Sequence, residues 1–343
     1  MKNFILVFAL LLAINIFTPV IYYHIYYEDG QADNNKPNSE SYDVFFGEDS
    51  NIDNIDHVEQ FSDANSVYTL YNLETHELEQ MDLISFLVGS AACEMPASYE
   101  MEAIKAQMIA CHSYYLYCKQ NGVPHDDLNL SFDERYMQKY ASKERLQEYW
   151  GMGFDDNYQK FLRCADEVKN MIVTYNSEVA LTTYYAVSCG KTQTSEAEWG
   201  TRLDYLTAVE SPDDVLSDSY LKVKSFPVQE MYDRFMTSFS GLVLDMENPD
   251  EWFGEIVYNQ SGYVDTVSVG GVKILGRDFR RYFELNSSCF MVFYEDGQFS
   301  IATKGYGHGV GLSQFGANQL SQQGKSYKDI LAHYFPNTKI ENL

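Results

Sequence analysis

Between Asn3 and Tyr27 the chain carries no Asp, Glu, Lys or Arg, and that span contains the run FILVFALLLAINIFTPVIYY. Nothing else limits the topology as strongly, because ~20 consecutive apolar residues suffice for a helix to cross a bilayer. A cleaved secretion signal has a shorter apolar region closed by a small-x-small site. Here the run ends in IYYHIYYEDG, bulky aromatics suited to a membrane interface followed by acids. Residues 1–27 therefore read as an uncleaved single-pass transmembrane anchor in the cell membrane, with Lys2 inside and Glu28 outside. The chain beyond Glu28 is expected to be extracytoplasmic.

Residues 28–66 are rich in acids, Asn and Ser, and their few apolar residues follow no period. Such a segment buries too little apolar surface to offset ordering entropy, so it reads as a disordered stalk spanning roughly 30–40 Å as a flexible coil. Residues 67–343 are expected to form one α+β domain, mixed helical and β-rich, with 213–300 as a β-containing sub-region. Two short strands should flank a turn near 74–77. A helix from about Asp82 should end at the Pro96 break. Ser98 reads as the N-cap of the next helix, whose buried stripe is Met101, Ile104, Met108, Cys111, Tyr115 and Cys118, and which stops at NGVP. Residues 134–170 look helical, and VTYNSEVALTTYYAVSCG reads as a hairpin running into a glycine turn. A helix over 313–323 should end at Gly324, and Ser326 with Asp329 should form the capping box of a last helix halting before Pro336.

Fifty acidic residues against 24 basic ones give a formal net charge of −26. A field of that sign repels phosphate backbones, so no nucleic-acid partner is expected. The six cysteines include no CxxC pair, and Cys111 and Cys118 are about 10 Å apart by helical rise, too far to bridge. Free, buried thiols are the expectation.

Three stretches carry polar chemistry. In SFLVGSAACEMPASYEMEAIKAQ, Glu94 ends an apolar run in the last turn of its helix. Burial and the negative pole of a helix C-terminus both favour a protonated carboxyl, as a general acid requires. A carboxylate reaching solvent at a helix end fits that position as well. In TTYYAVSCGKTQTSEAEWG, Tyr184, Tyr185, Ser188 and Lys191 surround a strand-to-loop junction, where binding groups and ordinary turns are both common. In KGYGHGVGLSQFGANQ, glycines at 305, 307, 309 and 311 form a pliant loop that carries His308 and delivers Ser313 and Gln314 at a helix start. Neither nucleotide-binding glycine pattern fits it, and GLSQFG is one residue too long for a GxSxG nucleophile elbow. A serine hydrolase built on Ser313 and His308 is the poorer reading for that reason.

Together these stretches resemble the stage II sporulation protein D family, whose relatives include amidase-enhancer proteins. AACEMPASYEMEAIKAQ is similar to the family's AAEMP…ALKAQ segment, YYAVSCGKTQTSEAEWG to its STSGGxT segment, and GYGHGVGLSQFGA to its GHGVGxSQyGA ending. GGVKILGRDFRRYFELNSSCF follows the intervening pattern, so the likeness runs from about residue 67 to the C-terminus. The resemblance implies a peptidoglycan lytic transglycosylase without a cofactor, in which Glu94 is the catalytic acid and base. It implies substrate binding by Gln107, His112, Tyr185, Ser188, Lys191, His308, Ser313 and Gln314. It also implies glycan strands as substrate, with a partner amidase or endopeptidase and a membrane complex of the engulfment machinery as possible partners. The other reading it leaves open is a non-catalytic wall-binding activator of an amidase.

The chain departs from the family at several points. His112 stands where an arginine is usual, and Cys93 and Cys189 replace an alanine and a glycine. Some relatives carry a His/Cys zinc site after the second helix, but between Lys119 and Ala165 His125 and Cys164 are the only His or Cys residues, so no such site is expected there. The acidity of the chain suggests glycan already stripped of its stem peptides.

Overall fold

The computed structural model describes residues 67–72, 77–121 and 140–343, all within one unit. The expected anchor at 1–27, the stalk at 28–66 and His125 lie outside these residues. Among the described residues no helix is long and apolar enough to cross a membrane.

The chain opens with the antiparallel pair β1 (Tyr68–Asn72) and β2 (Glu77–Met81). Asp82 caps α1 (Leu83–Glu94), its carboxylate accepting from the Ser85 N–H at 3.1 Å. Every residue from Phe86 to Ala92 in α1 is buried, as expected for a helix apolar on all sides. Next comes α2 (Met101–Asn121). It begins two residues later than Ser98 capping would place it, because Pro96 to Tyr99 closes a turn of its own and the first helical carbonyl is that of Glu100. The α2 stripe is buried from Ile104 to Cys118 as its spacing predicts.

Helices α3 (Lys143–Trp150) and α4 (Phe154–Val168) come next, split by a 3-10 turn at Gly151–Gly153. Then β3 (Met171–Tyr175) turns through Asn176 and Ser177, both at positive φ, into β4 (Glu178–Val179). The predicted hairpin is shorter than expected. Its second half leaves β3, and β5 (Tyr184–Tyr185) pairs instead in parallel with β12 (Leu312–Ser313) from the far end of the chain. A short α5 (Ser195–Trp199) is capped by Thr194.

The middle of the chain contains β6 (Leu221–Pro227), α6 (Val228–Ser238), β7 (Phe253–Tyr258), β8 (Val264–Val269), β9 (Val272–Leu275), α7 (Gly276–Tyr282), β10 (Phe290–Glu295) and β11 (Gln298–Lys304). They form two three-stranded antiparallel sheets, β10-β11-β6 and β7-β8-β9. After β12 come α8 (Gln314–Gln322), α9 (Tyr327–Tyr334) with its capping box, and β13 (Lys339–Asn342), which pairs with β3.

Two buried cores result. The first packs α1, α2 and α4 against β3, β12, α8 and α9. The second, from Phe226 to Ile301, is built on packed rings such as Phe279 on Phe290, with centroids 4.7 Å apart. The architecture is α+β.

Candidate active site

The end of α1 puts Glu94 at the rim of the first core, partly exposed, with Met95 already extended. Facing it, α2 presents Gln107, Cys111 and Tyr114, which share one side of the helix at steps of four and three residues. The start of α8 supplies Gln314, and β5 supplies Tyr184. These groups are linked by hydrogen bonds. The Gln314 amide donates to the Glu94 carboxylate at 3.1 Å and to the Gln107 side-chain carbonyl at 3.5 Å. Gln107 donates to the Cys111 sulfur at 3.3 Å, and the Cys111 thiol donates to the Tyr184 hydroxyl at 3.7 Å. Tyr184 accepts in that contact and keeps its own proton to donate. Burial, chiefly, holds the phenols of Tyr114 and Tyr184 far above their ordinary range, and the Glu94 charge adds to both. Both therefore stay neutral.

The loop that carries His308 is shaped by close approach. A side chain at Gly309 would meet the Tyr263 ring at 2.5 Å, and one at Gly311 would meet the Thr183 carbonyl at 2.2 Å, both at positive φ. Inside this loop the Val310 N–H donates to His308 Nδ1 at 3.1 Å, so Nε2 carries the proton and donates to the Tyr184 carbonyl at 3.2 Å. Burial, with the nearby Arg280 charge, lowers the imidazole to about 3. His308 is thus a neutral brace between loop and β5, with both ring nitrogens committed to backbone.

His112 is likewise placed away from the site. It is one residue on from Cys111, about 100° around the helix, and faces β1 and α1. There it is fully buried, meets the Tyr68 hydroxyl at 2.7 Å, and is lowered to about 4 by burial.

Ser188 and Ser313 are also fully buried, and both are held by Asp214, a residue that no sequence motif singles out. The Ser188 N–H donates to Asp214 at 2.8 Å and the Ser313 hydroxyl at 3.0 Å, while Ser313 caps α8 through the Gly316 N–H. Burial raises the Asp214 carboxyl against the lowering effect of these bonds. Ser313 gives its proton to Asp214 rather than to His308, so the two make no nucleophile–base pair. Lys191 pairs with Glu210 at 2.9 Å, and the Tyr185 hydroxyl is buried without a partner among the described residues. Of the nine residues named from sequence, Glu94, Gln107 and Gln314 are joined directly. Beyond His308, its carbonyl accepts from Gln193 at 2.6 Å. Gln193 borders a cavity of about 200 Å³ that includes Glu198 and Arg277 but not Glu94. Among the described residues no group of three His, Cys, Asp or Glu side chains could hold a metal ion.

A family model described as Stage II sporulation protein matches residues 71–175, the segment that carries Glu94 and Gln107. The stage II sporulation protein D of Bacillus amyloliquefaciens is 32% identical over 268 residues, covering 77% of this chain and 76% of its own length. The chain belongs to the stage II sporulation protein D family. The Bacillus subtilis protein of the same name is 31% identical over 266 residues, with 77% and 75% covered. A more distant relative, the amidase enhancer of Bacillus subtilis, is 23% identical over 304 residues, 74% of this chain and 40% of the enhancer. Family membership draws attention to the shared segments. Asp214 falls outside the family motifs, and only its contacts mark it.

Proposed function

We propose that the chain is a peptidoglycan lytic transglycosylase with Glu94 as its single acid and base. One observation carries this reading: Glu94 is a partly exposed carboxyl held by a neutral amide and flanked by neutral phenols. Two buried carboxyls in this part of the fold are committed elsewhere, Asp214 to Ser188 and Ser313 and Glu198 to Gln193. Hydrolases that activate water use two carboxyl groups across the scissile bond. Transglycosylation needs one. The Glu94 carboxyl protonates the oxygen linking N-acetylmuramic acid to N-acetylglucosamine, and the C1–O bond breaks. The carboxylate so formed takes the proton from the muramic acid's own 6-hydroxyl, whose oxygen closes on C1 as a 1,6-anhydro ring. The proton returns to Glu94 and no water is consumed. The Gln314 amide suits both halves of the cycle, because it can donate to the carbonyl oxygen of the acid as well as to the carboxylate.

The names of the Bacillus relatives support a role in sporulation, and we place the activity at engulfment. The charge-free N-terminal run supports attachment to the membrane with the domain outside. The net charge of −26 favours glycan freed of its peptides. The amidase-enhancer relative favours a second reading, a wall-binding activator of an amidase or endopeptidase. Incubating the purified full-length protein alone with sacculi separates the two. An enzyme releases 1,6-anhydro-muropeptides by itself. Silence alone, with stimulation of an added amidase, would reverse the assignment.

A further inference from the structure

Cys189 lies on the loop leaving β5 and Cys289 just before β10, and their side chains lie close enough to interact, while the Cys189 thiol donates to the Ser261 carbonyl at 3.3 Å. Backbone contacts bring them together. Val187 and Tyr306 form an isolated antiparallel bridge with bonds of 3.0 and 2.6 Å, and Cys189 is two residues past it. Lys304, two residues before Tyr306, donates its N–H to the Cys289 carbonyl at 2.8 Å. The Tyr220 hydroxyl clasps the Cys189 carbonyl at 3.1 Å.

The two sulfurs are unequal. Cys189 is partly exposed, and its thiol is lowered by the Cys289 thiol first and then by the Tyr263 hydroxyl, the Lys191 backbone and the Lys304 charge. Cys289 is buried and raised by the Cys189 thiol and by its surroundings. A partly exposed thiol beside a sheltered one is the arrangement of an attacking and a resolving cysteine.

We propose that Cys189 and Cys289 are a dithiol site that closes to a disulfide by exchange with a small-molecule disulfide, tying the Ser188 loop to the sheet of the second core. The Cys189 thiolate attacks one sulfur of the small disulfide, forming a mixed disulfide and expelling one thiolate. Cys289 loses its proton and attacks the Cys189 sulfur, expelling the second thiolate. The small disulfide is reduced to two thiols as the protein pair is oxidised. This chemistry does not depend on Glu94.

The test is thiol mapping of the reduced full-length protein after exposure to oxidised glutathione. Remaining thiols are blocked with iodoacetamide, and the protein is digested without reduction. The expected product is a peptide pair linked through Cys189 and Cys289, lighter by two hydrogen atoms and separated by dithiothreitol. In Cys289→Ser, oxidation should stop at a glutathione adduct on Cys189. E94Q should give the same link as the native protein. Alkylation of both cysteines at every glutathione ratio would overturn the proposal. So would a wild-type reaction that stops at the adduct, or linkage of Cys189 to Cys93. The wild-type map decides the matter even if a variant fails to fold.

Discussion

His112 and His308 share a consequence of burial that can be measured. Both are lowered in the folded state, to about 4 and about 3, while the unfolded chain titrates near the ordinary histidine value of ~6.5. Below that value the unfolded state binds more protons than the folded one, so stability is full above it and is lost as pH falls toward the folded values. By pH 5 each histidine costs about 2 kcal/mol. Asp214, raised by burial, works in the opposite sense at the acid end. Urea titrations at pH 7.5 and pH 5 should show the native protein losing about 2 kcal/mol more than His112→Gln. At the same scale, Gln314→Ala removes a bond that holds Glu94 in either protonation state. It should lower kcat by about 10²-fold, through misplacement of the reacting group, with a smaller change in KM. An unchanged kcat would mean that Glu94 is positioned by something else.

At the scale of elements, local rules carried far along the chain. The Asp82 cap, the α2 stripe, the stop at Gly324 and the Ser326–Asp329 box all depend on residues within a few positions of each other. What sequence could not show depends on distant partners. Tyr184 pairs with Leu312 across 128 positions, which no period announces, so the segment read as a second hairpin strand became half of a parallel bridge. Asp214 sits in an acidic stretch that looks solvated, and only the approach of Ser188 and Ser313 shows it buried. The reverse holds for His112, whose helical position was legible while its side of the helix depended on where β1 lies. Gly311→Ala tests the β5–β12 junction. Its φ of +84 and the Thr183 carbonyl 2.2 Å from the added carbon leave no room, so at least ~2 kcal/mol of stability should be lost. A melting temperature within a degree of the native protein would show that the loop can shift.

Across the whole described domain, two cores meet around the segment that joins β11 to β12, where Tyr263 covers Gly309 and Gly305 lies against the Cys189 loop. The carboxyl expected to do the chemistry stands on the first core, with an amide from one end of the chain and a phenol from its middle turned toward it. The most direct test is to incubate E94Q and the native protein with purified sacculi and analyse the released material by mass spectrometry. Glutamine preserves shape and hydrogen bonding but cannot shuttle the proton, a function worth about 10²–10⁴-fold. The native protein should release 1,6-anhydro-muropeptides, and E94Q should fall by at least that factor with an unchanged melting temperature. Equal release from both proteins would contradict the assignment of Glu94 as the acid and base.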